Sequence, residues 1–454
     1  MSLPAKPAPF LVCRVSATPS RIAPGRAVPG HRLARLWHLG RAGADLAAGI
    51  GLRGMAQMVR GEAGTRIAIS PAAARRLTDR LARMRGAVMK MGQLMSMDGS
   101  DILTPEATAI MASLRERAEP MPLSQLHQVL RLEWGEDWPR GFRRFEFQPL
   151  AAASIGQVHR AETCDGRRLA IKVQFPGVAA SIDSDIANLG LLVRGLGLLP
   201  PGLAPEPLLA EAREQLHREA DYVAEAAALA AYGARLADDP QFFVPRVHPD
   251  LSTPRVLAMD FAPGVPVDRL AAGAPASDRD RVAASLSRLV LQELFEFGLM
   301  QTDPNFGNYL YDAASGRISL LDFGATATVP PVLAGHYRDL ARAALASDRA
   351  RIRAAAIALG YLAADATALE TAALVELILL AGEVLRQPGR YDFATSDLFE
   401  RVYRRGRDLF LAERFSRLPA PGTLFLHRKL VGTFMLCRRL QTGFNVQEMV
   451  GPYL

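Results

Sequence analysis

Apolar residues follow two different periods in this chain, and the order of those periods constrains the fold more than any single residue does. Between 142 and 174 they alternate. Phe142–Phe147 has period-two character, Gln157–Glu162 is short and partly apolar, and Arg168–Gln174 follows the turn pair Asp165-Gly166. Alternation bounded by Asp-Gly is the pattern of half-buried strands joined in a hairpin. After Pro176-Gly177 helical spacing takes over and runs, across the proline-rich break 200–207, to about Leu236. Phe243–Val247 and Arg255–Phe261 return to strand character, and from Val282 to the end the spacing is mainly helical, interrupted by 303–323. Strands with one helical insert, followed by a helical remainder, predict an α+β, bilobal chain: a small β-rich lobe and a larger α lobe.

Upstream, Ser70-Pro71 pairs an N-cap residue with Pro at the first helical position. From there Leu77, Leu81, Met84, Val88, Met91 and Met95 recur at spacings of four and three, one apolar stripe of a long helix ending near Met97. Lys90 and Gln93 flank Gly92 beside that stripe. Glycine inside a helix costs up to ~1 kcal/mol relative to alanine, so its presence there suggests that another element approaches closely. Residues 1–31 are rich in Pro, Ala, Gly and Arg without a hydrophobic period and are expected to be a disordered leader. Leu33, Leu36, Trp37 and Leu39 then lie among Arg32, Arg35 and Arg41. This basic amphipathic segment suits either an anionic membrane surface or docking on the body of the protein.

Composition narrows the class. Apolar residues make up 49% and charged residues 22%, a globular balance that excludes wholesale disorder. The net charge is +8, but no acidic residue precedes Asp45, so the basic excess is local and does not describe a nucleic-acid binder. Three cysteines lie far apart with no C-x-x-C pair, which argues against a disulfide framework or structural zinc and for a reducing compartment. No apolar run reaches the roughly 18–20 residues that span a bilayer. Leu189–Leu199 and Ala372–Leu385 come nearest and are broken by Arg194, Glu376 and Glu383. A soluble or peripheral protein without a secretory signal is expected. Lysine occurs only at Lys6, Lys90, Lys172 and Lys429, and the other fifty basic residues are Arg. In a chain that uses Arg by default, a lysine marks a place where a compact ammonium does what a planar guanidinium cannot.

The chemistry is carried by four segments in a fixed order. Leu150-Ala-Ala-Ala-Ser-Ile-Gly-Gln-Val158 lies between two predicted strands, where a kinase carries its glycine-rich loop. On the G-x-G-x-x-G-x-V pattern the glycine positions fall on Ala151, Ala153 and Gly156, with Val158 as apolar cover. Ala152 and Ser154 complete the candidate nucleotide-binding loop, whose alanines restrict φ and stiffen the backbone. Fourteen residues beyond Val158, Leu169-Ala-Ile-Lys172 is a V-A-I-K-like strand whose ammonium can take phosphate oxygens. Glu219, Asp221 and Glu225, in the helix predicted near 207–236, offer carboxylates to hold that lysine, and Asp221 and Glu225 are expected to share a helix face. Gln301-Thr-Asp-Pro-Asn-Phe-Gly-Asn308 then sets Asp303 and Asn308 at D-x4-N spacing. Asp322-Phe-Gly324 follows the apolar run Ile318–Leu321. Asn308 and Asp322 are oxygen ligands suited to Mg2+, and Asp303 is placed to orient or deprotonate a hydroxyl or water.

These residues closely resemble the AarF/UbiB family of atypical kinases, the ADCK-type proteins linked to coenzyme Q biosynthesis, over roughly residues 30–454. The motifs are Lys90-Met-Gly-Gln93, the alanine-rich loop Ala151–Gln157, Lys172, Glu219-Ala-Asp221, Glu225, Asp303–Asn308, Asp322–Gly324 and, near the end, His427-Arg-Lys429. The resemblance implies a protein-kinase-like fold. Its parts would be a leader at 1–31, a helical extension at 32–119 carrying Lys90 and Gln93, a kinase-like N-lobe with a helical insert at 120–261, and a helical C-lobe at 262–454. It further implies that the extension covers the active site, where Lys90 and Gln93 meet Glu219 and Asp221 and share in catalysis with Asp303, Lys172 and Glu225. ATP or ADP with Mg2+ are the implied cofactors. Enzymes of ubiquinone biosynthesis are the implied partners, with lipid or small phenolic intermediates as ligands and peripheral membrane contact. The expected location is the cytoplasm or the inner-membrane surface in a bacterium, or the mitochondrial matrix in a eukaryote. Bacterial members with carboxy-terminal membrane spans differ from this chain, which looks more like the mitochondrial-type branch.

Three readings of function stand at this level. One is Mg-dependent ATP hydrolysis or phosphoryl transfer to a small or lipid-like acceptor. Another is a nucleotide-gated scaffold or chaperone with negligible turnover, motivated by the stiff loop and the covering helix. A small-molecule kinase of the aminoglycoside type would share D-x4-N but gives no reason for K-x-G-Q.

Overall fold

The computed structural model describes residues 120–196, 206–411 and 421–454. Lys90, Gln93, the stripe from Leu77 to Met95 and the basic segment 32–41 therefore lie outside the described residues. The chain divides into two compact units, the first including described residues up to Ala231 and Pro245–Phe261, the second Tyr232–Val244 and Ala262–Leu454.

The first unit begins with helix α1 (Leu123–Trp134), whose buried Leu126, Val129, Leu130 and Trp134 form one stripe and which ends at Gly135. Trp134 and Trp138 pack with Phe142 and Phe145 in an aromatic cluster beneath the sheet. The sheet is antiparallel. Strands β1 (Phe142–Phe145), β3 (Gly156–Thr163), β4 (Arg168–Gln174) and β6 (Val256–Asp260) lie in that order, and the two-residue β2 (Ala151–Ala152) pairs with β3. Asp165-Gly166 turns β3 into β4, with Gly166 at φ +88° in the region where only glycine is unstrained. Helices α2 (Val178–Leu196), α3 (Glu206–Glu219) and α4 (Tyr222–Arg235) follow β4.

Two sequence expectations change here. The predicted helix near 207–236 is two helices, broken at Ala220-Asp221. Gln174 Nε2 donates to the Ala220 carbonyl at 2.7 Å, and the Asp221 side chain caps α4 by accepting from Ala224 N at 2.9 Å. The predicted strand Phe243–Val247 is split. β5 (Phe242–Phe243) runs parallel to a strand of the second unit, while Val247 makes an isolated bridge to Met259 in the first. Pro245 stands between them and has no N–H to continue a ladder.

In the second unit β7 (Val265–Pro266), β9 (Tyr309–Asp312) and β10 (Arg317–Leu320) join β5 in the order β5-β10-β9-β7. Helix α5 (Ala276–Gln292) opens into a π-turn over Glu293–Phe297 that Gly298 ends in the left-handed conformation. β8 (Leu299–Gln301) follows and pairs with β11 (Thr326–Thr328). Helices α6 (Pro331–Leu345), α7 (Arg349–Ala358), α8 (Ala368–Ala381), α9 (Leu398–Leu411) and α10 (Pro421–Arg439) follow, and Arg390–Asp392 pairs antiparallel with Gly443–Asn445. Val290, Leu294, Met300, Val329, Tyr337 and Leu426 form a buried core joining α5, β8, α6 and α10. No helix among the described residues is long and apolar enough to cross a membrane. The apolar run at 372–385 is interrupted by Gly382 at the end of α8, which begins with a Thr367/Glu370 capping box.

Candidate functional site

Within the first unit the alanine-rich segment folds as a tight hairpin. Ala151 pairs with Val158 and Ala152 with Gln157, and Ala153 N donates to the Gly156 carbonyl at 2.9 Å. Ser154 is half-buried. Phe175 N donates to the Ile155 carbonyl, which ties the hairpin tip to the end of β4. Gly156 is required by close approach. A Cβ there would lie 2.4 Å from the Val173 carbonyl oxygen and 2.9 Å from the Tyr222 hydroxyl. Gln157 also anchors the preceding chain, accepting from Met121 N at 3.0 Å and contacting His159 Nε2 through its own Nε2 at 2.8 Å. Burial pushes the pKa of His159 down to about 4.

Lys172 stands directly opposite Val158 in the β3–β4 register, so the lysine and the apolar residue of the loop pattern occupy neighbouring positions across the pair. Its ammonium donates to both oxygens of Glu225 at 2.8 and 2.9 Å and lies over the Tyr222 ring at 5.2 Å. Both partners are buried, Lys172 at 5% exposure and Glu225 at 1%. Of the three carboxylates read from sequence, Glu225 pairs with the lysine. Asp221 is the cap of α4, its side chain accepting from Ala224 N and its carbonyl from Glu225 N at 3.0 Å, and Glu219 is buried at the end of α3. The expected partners Lys90 and Gln93 lie outside the described residues.

In the second unit the β9–β10 hairpin brings the sequence-distant D-x4-N and D-F-G segments together. Tyr309 pairs with Leu320, and one step beyond, Leu321 N donates to the Asn308 carbonyl at 2.9 Å. Asn308 and Asp322 consequently line the same small cavity, with Tyr232, Glu293 and Gln301. Asp322 Oδ1 accepts from Gly324 N at 3.0 Å, the hydrogen bond that shapes the D-F-G turn. Asp303 is half-buried on the loop between β8 and β9, next to Thr302, whose N–H and hydroxyl both reach the Ala325 carbonyl at 2.7 Å. Asn305 caps the short turn before Asn308 by accepting from Gly307 N at 3.1 Å.

The donor chemistry fits a hard divalent cation. Asn308 and Asp322 bring side-chain oxygens, and among the described residues the buried Asn308 Nδ2 has no hydrogen-bond partner, so none of them fixes the amide orientation through that nitrogen. Among the described residues no three His, Cys, Asp or Glu side chains come together as a metal-holding group. A Mg2+ here would therefore complete its shell with phosphate and water oxygens, as this ion commonly does.

Around the same cavity lies a polar network that the sequence reading did not assemble. Lys429 Nζ donates to Gln301 Oε1 at 3.0 Å and to the Tyr309 hydroxyl at 3.2 Å, and pairs with Glu293 Oε2 at 3.1 Å. Burial opposes the Lys429 charge, but Glu293 and Tyr309 outweigh it and raise its pKa above the ordinary lysine value. Two signals in the sequence point to Lys429, the rarity of lysine and the family-like stretch His427-Arg-Lys429, but neither names its partners.

Residues 113–356 match the ABC1 atypical kinase-like domain family. The chain is similar to the mitochondrial atypical kinase COQ8B of Rattus norvegicus, 38% identical over 93% of this chain and 80% of the relative. It is also similar to the mitochondrial atypical kinase COQ8 of Saccharomyces cerevisiae, 36% identical over 93% of this chain and 84% of the relative. Among solved structures, the Rv3197–erythromycin complex from Mycobacterium tuberculosis shares the fold, with a TM-score of 0.57 at 24% identity over 84% of this chain and 96% of that one.

Proposed function

Because this chain belongs to the ABC1 atypical kinase-like family and has its kinase-like α+β fold, we propose that it binds Mg2+ with adenine nucleotide, hydrolyses ATP or transfers its terminal phosphoryl group to a small or lipid-like acceptor, and thereby supports ubiquinone biosynthesis. The observation that carries the reading is the β9–β10 hairpin, which lines one cavity with an amide and a carboxylate taken from two segments fourteen residues apart. Asn308 and Asp322 would hold the metal, and a bound Mg2+ would supply neutralisation of phosphate charge.

The chain's own residues divide the remaining work. Lys172 offers phosphate oxygens a compact charge, and Glu225 keeps the ammonium in place. Ala151, Ala152, Ala153, Ser154 and Gly156 present backbone to the nucleotide in a hairpin whose alanines limit its freedom, with Val158 as apolar cover. Asp303 accepts or orders the proton of an attacking hydroxyl or water. Lys90 and Gln93, with Glu219 and Asp221, would limit which acceptors enter. A protein of the mitochondrial type, in peripheral contact with a membrane where ubiquinone intermediates reside, is the setting this reading favours; its relatives are named as mitochondrial.

Calorimetry with ADP and Mg2+ tests the metal assignment through Asp322→Asn, which removes the anionic ligand. Metal-dependent binding should be lost, and retention of the parent's affinity would remove Asp322 from the site. Phosphate release with and without liposomes or small phenols tests catalysis. A parent rate no higher than that of Asp322→Asn would replace turnover by nucleotide-gated scaffolding.

A further inference from the structure

Helix α10 touches the metal-holding segments at two points on one face. Lys429 reaches Gln301, Tyr309 and Glu293 at 3.0, 3.2 and 3.1 Å. Gln301 precedes Asp303 by two residues, and its Nε2 donates to the Asp322 carbonyl at 3.0 Å. Tyr309 follows Asn308 directly, and its hydroxyl also donates to Gln301 Oε1 at 3.0 Å. One ammonium is thus a single hydrogen bond from the neighbour of Asn308 and two from the backbone of Asp322. Glu293, set inward by the π-turn at the end of α5, closes the cluster by accepting from the Tyr232 hydroxyl at 2.8 Å and Gln301 N at 3.1 Å. π-Turns of this kind recur at functional sites.

The second point is Gly432, three residues along and therefore on the same helix face. A Cβ at this position would lie 2.4 Å from Pro304 Cβ and 2.7 Å from Pro304 Cγ. Glycine is a poor helix former, yet here it lets the residue after Asp303 seat against the helix. The lysine has a similar explanation. Three acceptors converge on one point, which suits a tetrahedral ammonium; a guanidinium spreads its donors in a planar fork. A chain that otherwise uses Arg keeps Lys at this position.

We propose that Lys429 and Gly432 make α10 the platform that sets the Asp303–Asn308 loop and Asp322 in register for the metal, with Lys429 a positioning residue that itself touches neither metal nor nucleotide. The proposal rests on the metal reading above and adds to it the residues that hold the ligands in place. Metal sites depend strongly on such outer partners, whose loss commonly weakens metal affinity about 10–100-fold.

The test uses the full chain and ADP binding by calorimetry across a Mg2+ series, with thermal melting alongside. In Lys429→Met with Glu293→Gln, both charges are removed together, so no buried carboxylate is left unpaired. Gly432→Ala improves the helix while displacing Pro304. The charge-free pair should melt near the parent and Gly432→Ala moderately below it because Pro304 must shift, and both, once folded, should need about tenfold or more Mg2+ for half-maximal ADP binding. Parent-like Mg2+ dependence in both folded variants would overturn the proposal and leave the metal reading standing. Should the charge-free pair fail to fold, Gly432→Ala decides the matter by the same criterion. Absence of Mg2+-dependent ADP binding in the parent itself would overturn the metal reading, and this proposal with it.

Discussion

At Gly156 the limiting quantity is one interatomic distance. A methyl group there would meet the Val173 carbonyl at 2.4 Å, and backbone in the middle of a sheet does not move aside as a flexible side chain would. Gly156→Ala should therefore destabilise the protein by about 1–3 kcal/mol, the usual range for overpacking, and loosen the hairpin. Denaturant melts check the first effect, and ADP affinity the second. Lys172 presents a different residue-scale constraint. Its ammonium is held by both oxygens of a carboxylate that is only 1% exposed. Lys172→Arg keeps the charge but adds length and a plane, so phosphate binding should fall more than tenfold while the protein stays folded. Calorimetry with ATP distinguishes this from a general loss of stability. Lys172→Met is the harsher change, because it removes the cation that faces the buried Glu225 carboxylate and should cost roughly 3–5 kcal/mol.

Among the elements, the junction of α3 and α4 shows what periodicity misses. Apolar spacing runs on smoothly through 207–236, yet the helix breaks at Ala220-Asp221. The alternative satisfied there is local: Gln174 takes the Ala220 carbonyl and Asp221 supplies the cap of α4. Restarting the helix sets Glu225 toward Lys172 and leaves Asp221 outside. Asp221→Ala should then lower stability by about 1 kcal/mol through loss of the cap and fray the turn that carries Glu225. A thermal melt together with ATP affinity would show both consequences, and an unchanged melt would contradict the capping role. The β9–β10 hairpin is the converse case. The order of D-x4-N, an apolar run and D-F-G is legible from sequence, and the pairing of Tyr309–Asp312 with Arg317–Leu320, joined through Gly316 at φ +70°, is what brings the two segments together.

For the whole molecule, two histidines contribute most to the pH response, His159 buried and His427 half-buried. His159 in the first unit and His427 in the second both have pKa values pushed from 6.5 down to about 4 by burial, and His427 Nε2 contacts the Tyr361 hydroxyl at 2.7 Å. Each is neutral when folded and takes a proton when unfolded, so between about pH 6.5 and 4 the unfolded chain binds more protons. Stability should rise with pH through that window and be lost as pH falls, by about 3 kcal/mol per histidine across the full range. Denaturant titrations at pH 7, 6 and 5 check the slope, and His427→Gln should remove one of the two contributions. What the sequence by itself determined about this protein is the inventory and order of its chemistry: a strand lysine, a small-residue loop, D-x4-N and D-F-G, within strands followed by helices. Those features are local, written in spacing and residue type over a few tens of positions. What only the tertiary structure decided is partnership. Lys172 chose Glu225 over Glu219 and Asp221, and Lys429 gathered Glu293, Gln301 and Tyr309 from segments more than a hundred residues away. Such choices rest on which carboxylate is buried within about 3 Å of an ammonium. That distance is set by helix breaks, a π-turn and close approach at glycine, none of which leaves a periodic trace in the sequence.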